Sequence, residues 1–306
     1  MLVISAKSGQ LGNRLLLFAN FMAFAIENKL TVLNPAFDDY AEFFESTARD
    51  FLCRYPAPPF AIPGNKWLRH KYYNLNRNLL ESGRFNTIDI KRDQPFNWSK
   101  SNVSEQLKPG INFFQGWLFR DGWFASETAS LHKHGTAIRA YFQPLKRHQT
   151  NVSKLISSIR SKTDILIGIH IRQGDYQQHQ DGRYFYQLEQ YMKVMESARS
   201  LFQNKKVTFL ICSNVKQEEQ QLENFSYVFG SNHIIEDMYS LAECDYIIGP
   251  PSSYTMWASF YGERPLYMIR DMNKALEIKD FIHFQQWEGI FHYNEDWSKS
   301  FWEWTH

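Results

Sequence analysis

Asp164-Ile-Leu-Ile-Gly-Ile-His170-Ile-Arg172-Gln-Gly174-Asp175-Tyr176 decides the reading of this chain. Ile165 to Ile169 form a short apolar run rich in β-branched residues, the pattern of a strand buried on both faces of a parallel sheet. Its far end delivers a His, an Arg, a Gly and an Asp within six residues. In open α/β sheets ligands gather just beyond the carboxyl ends of the strands, so this cluster stands where chemistry is done. Arg172 suits a pair of phosphate oxygens, because its planar guanidinium offers paired donors and stays charged. Gly174 lets the backbone turn sharply beside a ligand. A plainer alternative is that Arg172 and Asp175 simply pair across a turn, and residues further along the chain bear on the choice.

Leu188, Tyr191, Met192, Met195, Ala198 and Leu201 recur at helical spacing, a stripe that reads as core. Val207 to Ile211 are the next strand, ending in Cys212-Ser213-Asn214, and Tyr227 to Phe229 another. A short helix is expected over Glu236 to Glu243, then a strand over Tyr246 to Ile248 that runs into Gly249-Pro-Pro-Ser252-Ser253-Tyr254-Thr255. A helix from Met256 to Tyr261 and a strand from Pro265 to Ile269 complete the alternation, which means a parallel, doubly wound sheet. Three strand ends then carry polar groups: His170, Arg172 and Asp175; Ser213 and Asn214; Ser252, Ser253 and Thr255. Each alone reads equally as a turn or a cap. Aimed at one crevice, hydroxyls and helix amides facing a fixed Arg make a pocket for a diphosphate. Asp245, just ahead of its strand, either holds a loop in place or accepts from a nucleobase or ribose.

Upstream, Leu2 to Ser5 read as a strand, Gly9-Gln-Leu-Gly12-Asn13-Arg14 as a glycine loop, Leu15 to Asn28 as an apolar helix and Thr31 to Asn34 as a strand. The loop matches neither the dinucleotide fingerprint nor a Walker loop, since the spacings differ and no Lys-Ser/Thr follows. A glycine turn feeding a helix suits an anion, and serves equally as a tight turn. Phe37 to Pro109 resists reading: its Pro-rich breaks interrupt regular structure, and Trp67 to Arg77 suggest a partly helical insertion. Ile111 to Gln115 resume as a strand, and Ser126 to Phe142 as a helix capped by Ser126. His132 and His134 on that helix point to different sides, which argues against a joint metal site. Pro144 to Asn151 is the expected link between an N-terminal α/β lobe over residues 1–148 and a C-terminal Rossmann-like lobe over 149–306.

The 306 residues suffice for two domains, and 43% hydrophobic with 22% charged residues is a globular composition. A formal net charge of +2 gives no electrostatic case for nucleic acid. The three cysteines, Cys53, Cys212 and Cys244, form neither a metal-ligand pattern nor a disulfide framework, which suggests a reducing, cytoplasmic setting. No signal peptide is read at the start, and no apolar run approaches the roughly 18 residues of a membrane span; peripheral membrane contact stays open. The sequons at Asn97 and Asn102 are read as chance matches.

His170-Ile-Arg-Gln-Gly-Asp-Tyr resembles the His-x-Arg-x-Gly-Asp signature of the α-1,2-fucosyltransferase family, and more loosely the wider superfamily of α-1,6- and protein O-fucosyltransferases. Gly9-Gln-Leu-Gly12-Asn13-Arg14 is similar to that family's Gly-x-x-Gly-Asn-Gln, and Ser252-Ser253-Tyr254-Thr255-Met-Trp257 to its Ser-Ser/Thr-Phe-Ser-Trp-Trp. Phe114-Gln115-Gly116-Trp117 sits where the family places a strand before its domain link. The resemblance implies a two-lobed GT-B-like α/β fold, Rossmann-type parallel sheets with helices on both faces, GDP-fucose as donor, a saccharide acceptor bound on the N-terminal side, an inverting transfer, and no metal or further cofactor. By position, Arg172 then holds the β-phosphate with Ser252, Ser253 and Thr255 on the same diphosphate. His170 supports the loop or touches donor, and Asn13 approaches the phosphates. Gly12, Ser213, Asn214, Asp245 and Tyr254 complete the expected donor-binding set. Gln173, Arg14, Tyr254 and Thr255 depart from the family's Arg, Gln, Phe and Ser.

Inversion requires a base for the acceptor proton, with Asp175 and Asp181 as candidates. The chain has no Asp-x-Asp to carry a metal on the diphosphate, and Asp38-Asp39 lies in the other half. Two other classes compete: a non-catalytic nucleotide-sugar or glycan-binding module, and a metal-dependent phosphoester hydrolase built on His170, Asp175 and His179 with Asp237 or Asp245.

Overall fold

A computed structural model describes residues 1–90, 103–116 and 129–283. Sequons Asn97 and Asn102 and the cap Ser126 lie outside the described residues. The chain divides into two compact units, Met1–Leu145 and Lys146–Phe284.

The first unit runs β1 (Leu2–Ile4), α1 (Leu11–Asn28), β2 (Val32–Leu33), α2 (Glu45–Arg49), β3 (Arg54–Tyr55), α3 (Lys66–Glu81), β4 (Asn86–Ile90), α4 (Val103–Gln106), β5 (Asn112–Gly116) and α5 (Gly135–Tyr141). Its sheet has the order β3-β2-β1-β5-β4, parallel except for β3. The three residues of β1 are fully buried, as a strand with neighbours on both sides requires. Against α1 packs an aromatic cluster in which Phe18 meets Phe37, Tyr141 and Phe142 edge-to-face at 5.4–5.7 Å between ring centroids.

Three expectations change here. The helix starts at Leu11 rather than Leu15, so Gly12 and Asn13 belong to its first turn. The region after Phe37 holds one clear helix, α3, but also two strands, β3 and β4, that the sequence hides: β3 is two residues long, and Asn-Thr-Ile-Asp-Ile is a half-polar edge strand. The expected helix ending at Phe142 is interrupted at His134, whose Nε2 meets Glu27 at 3.2 Å beside the Lys133 ion pair.

The second unit runs α6 (Lys146–Arg160), β6 (Ile165–Ile171), α7 (Leu188–Ser200), β7 (Val207–Ser213), β8 (Tyr227–Phe229), α8 (Ile234–Ala242), β9 (Tyr246–Gly249), α9 (Ser253–Gly262) and β10 (Leu266–Met268). Most of the expected link from Pro144 is therefore helical, part of α6. All five strands are parallel, in the order β10-β9-β6-β7-β8. From β6 the chain builds outward through β7 and β8, then crosses back to lay β9 and β10 on the other flank. Crossovers between parallel strands are right-handed as a rule, and running them in both directions from β6 puts helices on both faces of the sheet. The order reverses between β6 and β9, and a doubly wound sheet opens its crevice at the carboxyl ends beside such a reversal.

The three cysteines are buried and unbridged, and burial pushes the Cys53 thiol up to about 12. Among the described residues no helix is long and apolar enough to cross a membrane.

Candidate active site

β6 delivers its polar residues at the reversal. His170 is buried, 5% exposed, with its ring stacked on Tyr254 at 4.8 Å and 26° between planes. Burial first, then the charge of Arg172, pull its pKa down to about 3, so it stays a neutral imidazole. Its Nδ1 is buried without a hydrogen-bond partner among the described residues. Between pH 6.5 and 3 the unfolded chain takes up a proton here that the fold refuses, so stability falls as pH drops through that window. His170→Phe keeps a ring against Tyr254 and removes the titration. In urea unfolding from pH 7 to pH 5 the wild type is expected to lose about 2 kcal/mol more than this variant; equal losses would refute the assignment.

Arg172 follows one residue beyond the strand. Its Nη2 donates to Asp175 Oδ2 at 2.7 Å, and its guanidinium lies 5.4 Å from the Tyr176 ring centroid with about a quarter of the side chain exposed. The loop behind it is held firmly. Arg172 N–H donates to Tyr191 Oη at 3.2 Å. Gln173 N–H donates to Asn214 Oδ1 at 2.9 Å, and Asn214 Nδ2 returns a bond to the Gln173 carbonyl at 3.0 Å. The Gln173 side chain donates to the Tyr186 carbonyl at 2.9 Å and accepts from Gln217 Nε2 at 3.0 Å. Gly174 then turns the chain at φ +61°, a left-handed conformation suited to glycine.

β9 delivers the other half. Ser252 caps α9, its Oγ accepting from Tyr254 N–H at 3.2 Å. The helix begins at Ser253, not Met256, so Ser253, Tyr254 and Thr255 form its first turn at the carboxyl end of β9, the Tyr254 amide being the one that the Ser252 cap takes. Thr255 is fully buried and its Oγ1 donates to the Ser252 carbonyl at 2.9 Å, which makes it a builder of the turn. Tyr254 Oη donates to the Ile234 carbonyl at 2.7 Å, and the fully buried Trp257 donates its indole N–H to Tyr239 Oη at 3.3 Å. Both bonds pin α9 to α8.

The two halves touch. Tyr176 Oη, beyond Arg172, donates to the carbonyl of Pro251, just before Ser252, at 2.9 Å. A Cβ placed on Gly249 would stand 3.1 Å from both His170 Cβ and Thr255 Cγ2, so a bare backbone is what lets β6, β9 and α9 approach. Arg172, His170 and the Ser252–Thr255 turn are thus one assembly.

Other expected site residues take different places. Asp245 sits at the amino end of β9, the opposite edge, where it accepts from Leu166 N–H at 2.8 Å and from Arg160 Nη2 at 2.9 Å. That location removes it from the crevice. Asn214 uses both amide atoms on the Gln173 backbone and Ser213 Oγ accepts from Gln217 Nε2 at 3.0 Å, so both serve the loop rather than face a ligand. Asp175 is engaged with Arg172, and Asp181 is exposed on a turn at φ +53°. Gly12 and Asn13 belong to the first unit, where the Asn13 carboxamide folds back over Gly9. Tyr176, Tyr186, Tyr191 and Gln217 were not singled out as site residues by the sequence; only Tyr176, inside the opening motif, carried a local signal.

Among the described residues the trio with metal-ligand spacing is His148, His233 and Glu236, which includes neither His170 nor Asp175. Structural bonds occupy it: His148 Nδ1 meets Glu236 Oε1 at 2.9 Å, Arg147 Nε donates to His148 Nε2 at 3.2 Å, and His233 Nδ1 caps α8.

No curated protein sequence matches the chain significantly. Among solved structures, it is similar to a mutant of Arabidopsis thaliana FUT1 in complex with GDP, with a TM-score of 0.55, 15% identity, and 89% of this chain and 71% of that one covered. NodZ α-1,6-fucosyltransferase co-crystallized with GDP aligns with a TM-score of 0.54, 19% identity and 88% and 94% coverage. NodZ soaked with GDP-fucose gives 0.55, 16%, and 92% and 97%; a NodZ structure is known from Bradyrhizobium. At such identities the likeness establishes the fold, and the expected GT-B-like α/β architecture holds. The profile of glycosyl transferase family 11 matches residues 115–291, more than half of the chain and every strand of the second unit. By that match this chain belongs to glycosyl transferase family 11 and is a glycosyltransferase.

Proposed function

We propose that the protein transfers L-fucose from GDP-fucose to a hydroxyl of a glycan acceptor, with inversion, in an α-1,2-like linkage and without a metal ion. The observation that carries this reading is the meeting of Arg172 with the amino end of α9 across the β6–β9 reversal, tied by Tyr176 and Pro251. GDP and GDP-fucose in the similar NodZ structures support the choice of donor.

As the glycosidic bond breaks, negative charge gathers on the departing GDP. A fixed guanidinium and the first-turn amides of α9 meet that charge as it forms, so they stabilise the transition state more than the ground state. They supply what a metal supplies elsewhere. We assign Arg172 to the β-phosphate, and the Ser252 and Ser253 turn to the same diphosphate. Neutral His170 lines the floor without adding charge. Asp175 positions Arg172 through their ion pair. Gly12 and Asn13 are assigned to the donor by resemblance, and acceptor recognition to the first unit.

GDP-fucose incubated with a panel of glycans in excess EDTA is expected to give a fucosylated product and GDP at the rate seen with Mg²⁺. A chelation-sensitive reaction would point to the metal-dependent hydrolase, especially with phosphate released and no glycoside. Tight GDP binding without turnover on any glycan would point to a binding module. Either result would overturn the proposal.

A further inference from the structure

We propose that Gln217 is a positioning residue for the transfer, setting the place of Arg172 by clamping Gln173; this rests on the assignment of Arg172 above. Gln217 lies in the loop after β7, and it is the buried residue there, 7% exposed between exposed neighbours at 214–216 and 218–220. A polar side chain turned inward from an exposed loop is kept there by its bonds. Its Nε2 donates to Gln173 Oε1 at 3.0 Å, to Ser213 Oγ at 3.0 Å and to the Val215 carbonyl at 3.1 Å. The last two fold the loop back onto the end of β7, where Ser213 pairs in register with Ile171, the residue before Arg172. Gln217 is thus anchored on the sheet and reaches the residue after Arg172.

Gln173 answers with all of its polar groups. Asn214 takes its backbone N–H and carbonyl, the Tyr186 carbonyl takes its Nε2, and its Oε1 faces Gln217. Backbone carbonyls only accept, so those of Tyr186 and Val215 fix which way both amides point. With Ile171 held in the sheet and Gln173 held at both backbone and side chain, the stretch from which the Arg172 guanidinium extends cannot drift. The clamp is also neutral. A carboxylate at residue 217 would compete with a phosphate for the nearby guanidinium, and an amide does not.

Initial rates of transfer from GDP-fucose test this in a cycle of wild type, Gln217→Met, Arg172→Ala and the double variant, with urea unfolding to show that each is folded in the assay. Methionine keeps the length of the side chain and removes its donors. Gln217→Met is expected to lower kcat about 10-fold, less than the roughly 100-fold of a 1 Å misplacement, with a smaller change in KM for GDP-fucose. In the Arg172→Ala background the same substitution is expected to cost less than about twofold, because nothing is left to position. A normal rate for Gln217→Met, or an equal loss in both backgrounds, would overturn the inference; equal losses are what a merely structural role gives. Should Gln217→Met fail to fold, Gln173→Met decides by the same cycle, since it cuts the side-chain clamp and keeps the backbone bonds to Asn214. A near-normal rate for Arg172→Ala overturns the Arg172 assignment and this inference together. A slow Arg172→Ala beside a normal Gln217→Met overturns the inference only.

Discussion

Arg172→Ala is expected to slow fucosyl transfer about 100- to 1000-fold, the usual consequence of removing one group that meets transition-state charge. The side chain sits a residue past the end of β6, and its backbone is fixed by Tyr191 and by the Gln173–Asn214 pair. None of those bonds uses the guanidinium, so the variant should fold. Its removal leaves Asp175 without its partner on an exposed loop, where a single ion pair contributes about 1 kcal/mol or less to stability. Rate and stability therefore separate. Arg172→Lys keeps the charge but not the planar fork, and should recover only part of the rate. Initial rates with GDP-fucose, beside urea unfolding of the same samples, decide it. A near-normal rate for Arg172→Ala would remove the residue from the chemistry.

Gly249→Val should damage both the fold and the reaction. At Gly249 even one added carbon lies 3.1 Å from His170 Cβ and from Thr255 Cγ2, and 3.3 Å from the His170 carbonyl oxygen. Two of those atoms belong to backbone or to β-carbons that cannot rotate away. Valine's branched methyls must push β6 away from the start of α9, at about 1–3 kcal/mol of stability for overpacking. The same displacement separates Arg172 from the Ser252 turn. A misplacement near 1 Å costs about 100-fold in rate when reacting groups must be aligned. The variant's transfer rate should thus fall by up to about two orders of magnitude under conditions where it is still folded. Gly249→Ala should show the same pattern more mildly. Wild-type stability and rate in Gly249→Val would mean that the close approach is unimportant.

The second unit was legible because its central strands are buried on both faces and so appear as unbroken apolar runs. Ile165 to Ile169, Val207 to Ile211 and Tyr246 to Ile248 all lie inside observed strands. Helix starts were less legible. Ser-Tyr-Thr at 253–255 and Gly-Asn at 12–13 have weak helix propensity, yet packing draws both into first turns. At the site, the motif exposed Arg172 but hid what holds it. Gln217 and Tyr186 act over separations of 44 and 13 residues along the chain, which no local pattern encodes. Asp245 misled for the same reason: its partner Arg160 is 85 residues away, and that pairing fixes it at the amino edge. Edge strands β3 and β4 were hidden by brevity and by polar alternation.

The most direct measurement is a crystal structure of the wild-type protein grown with GDP and EDTA. The β-phosphate is predicted to lie within hydrogen-bond distance of the Arg172 guanidinium and of the first-turn amides of α9. Nucleotide density elsewhere, with Arg172 still paired only to Asp175, would contradict the account.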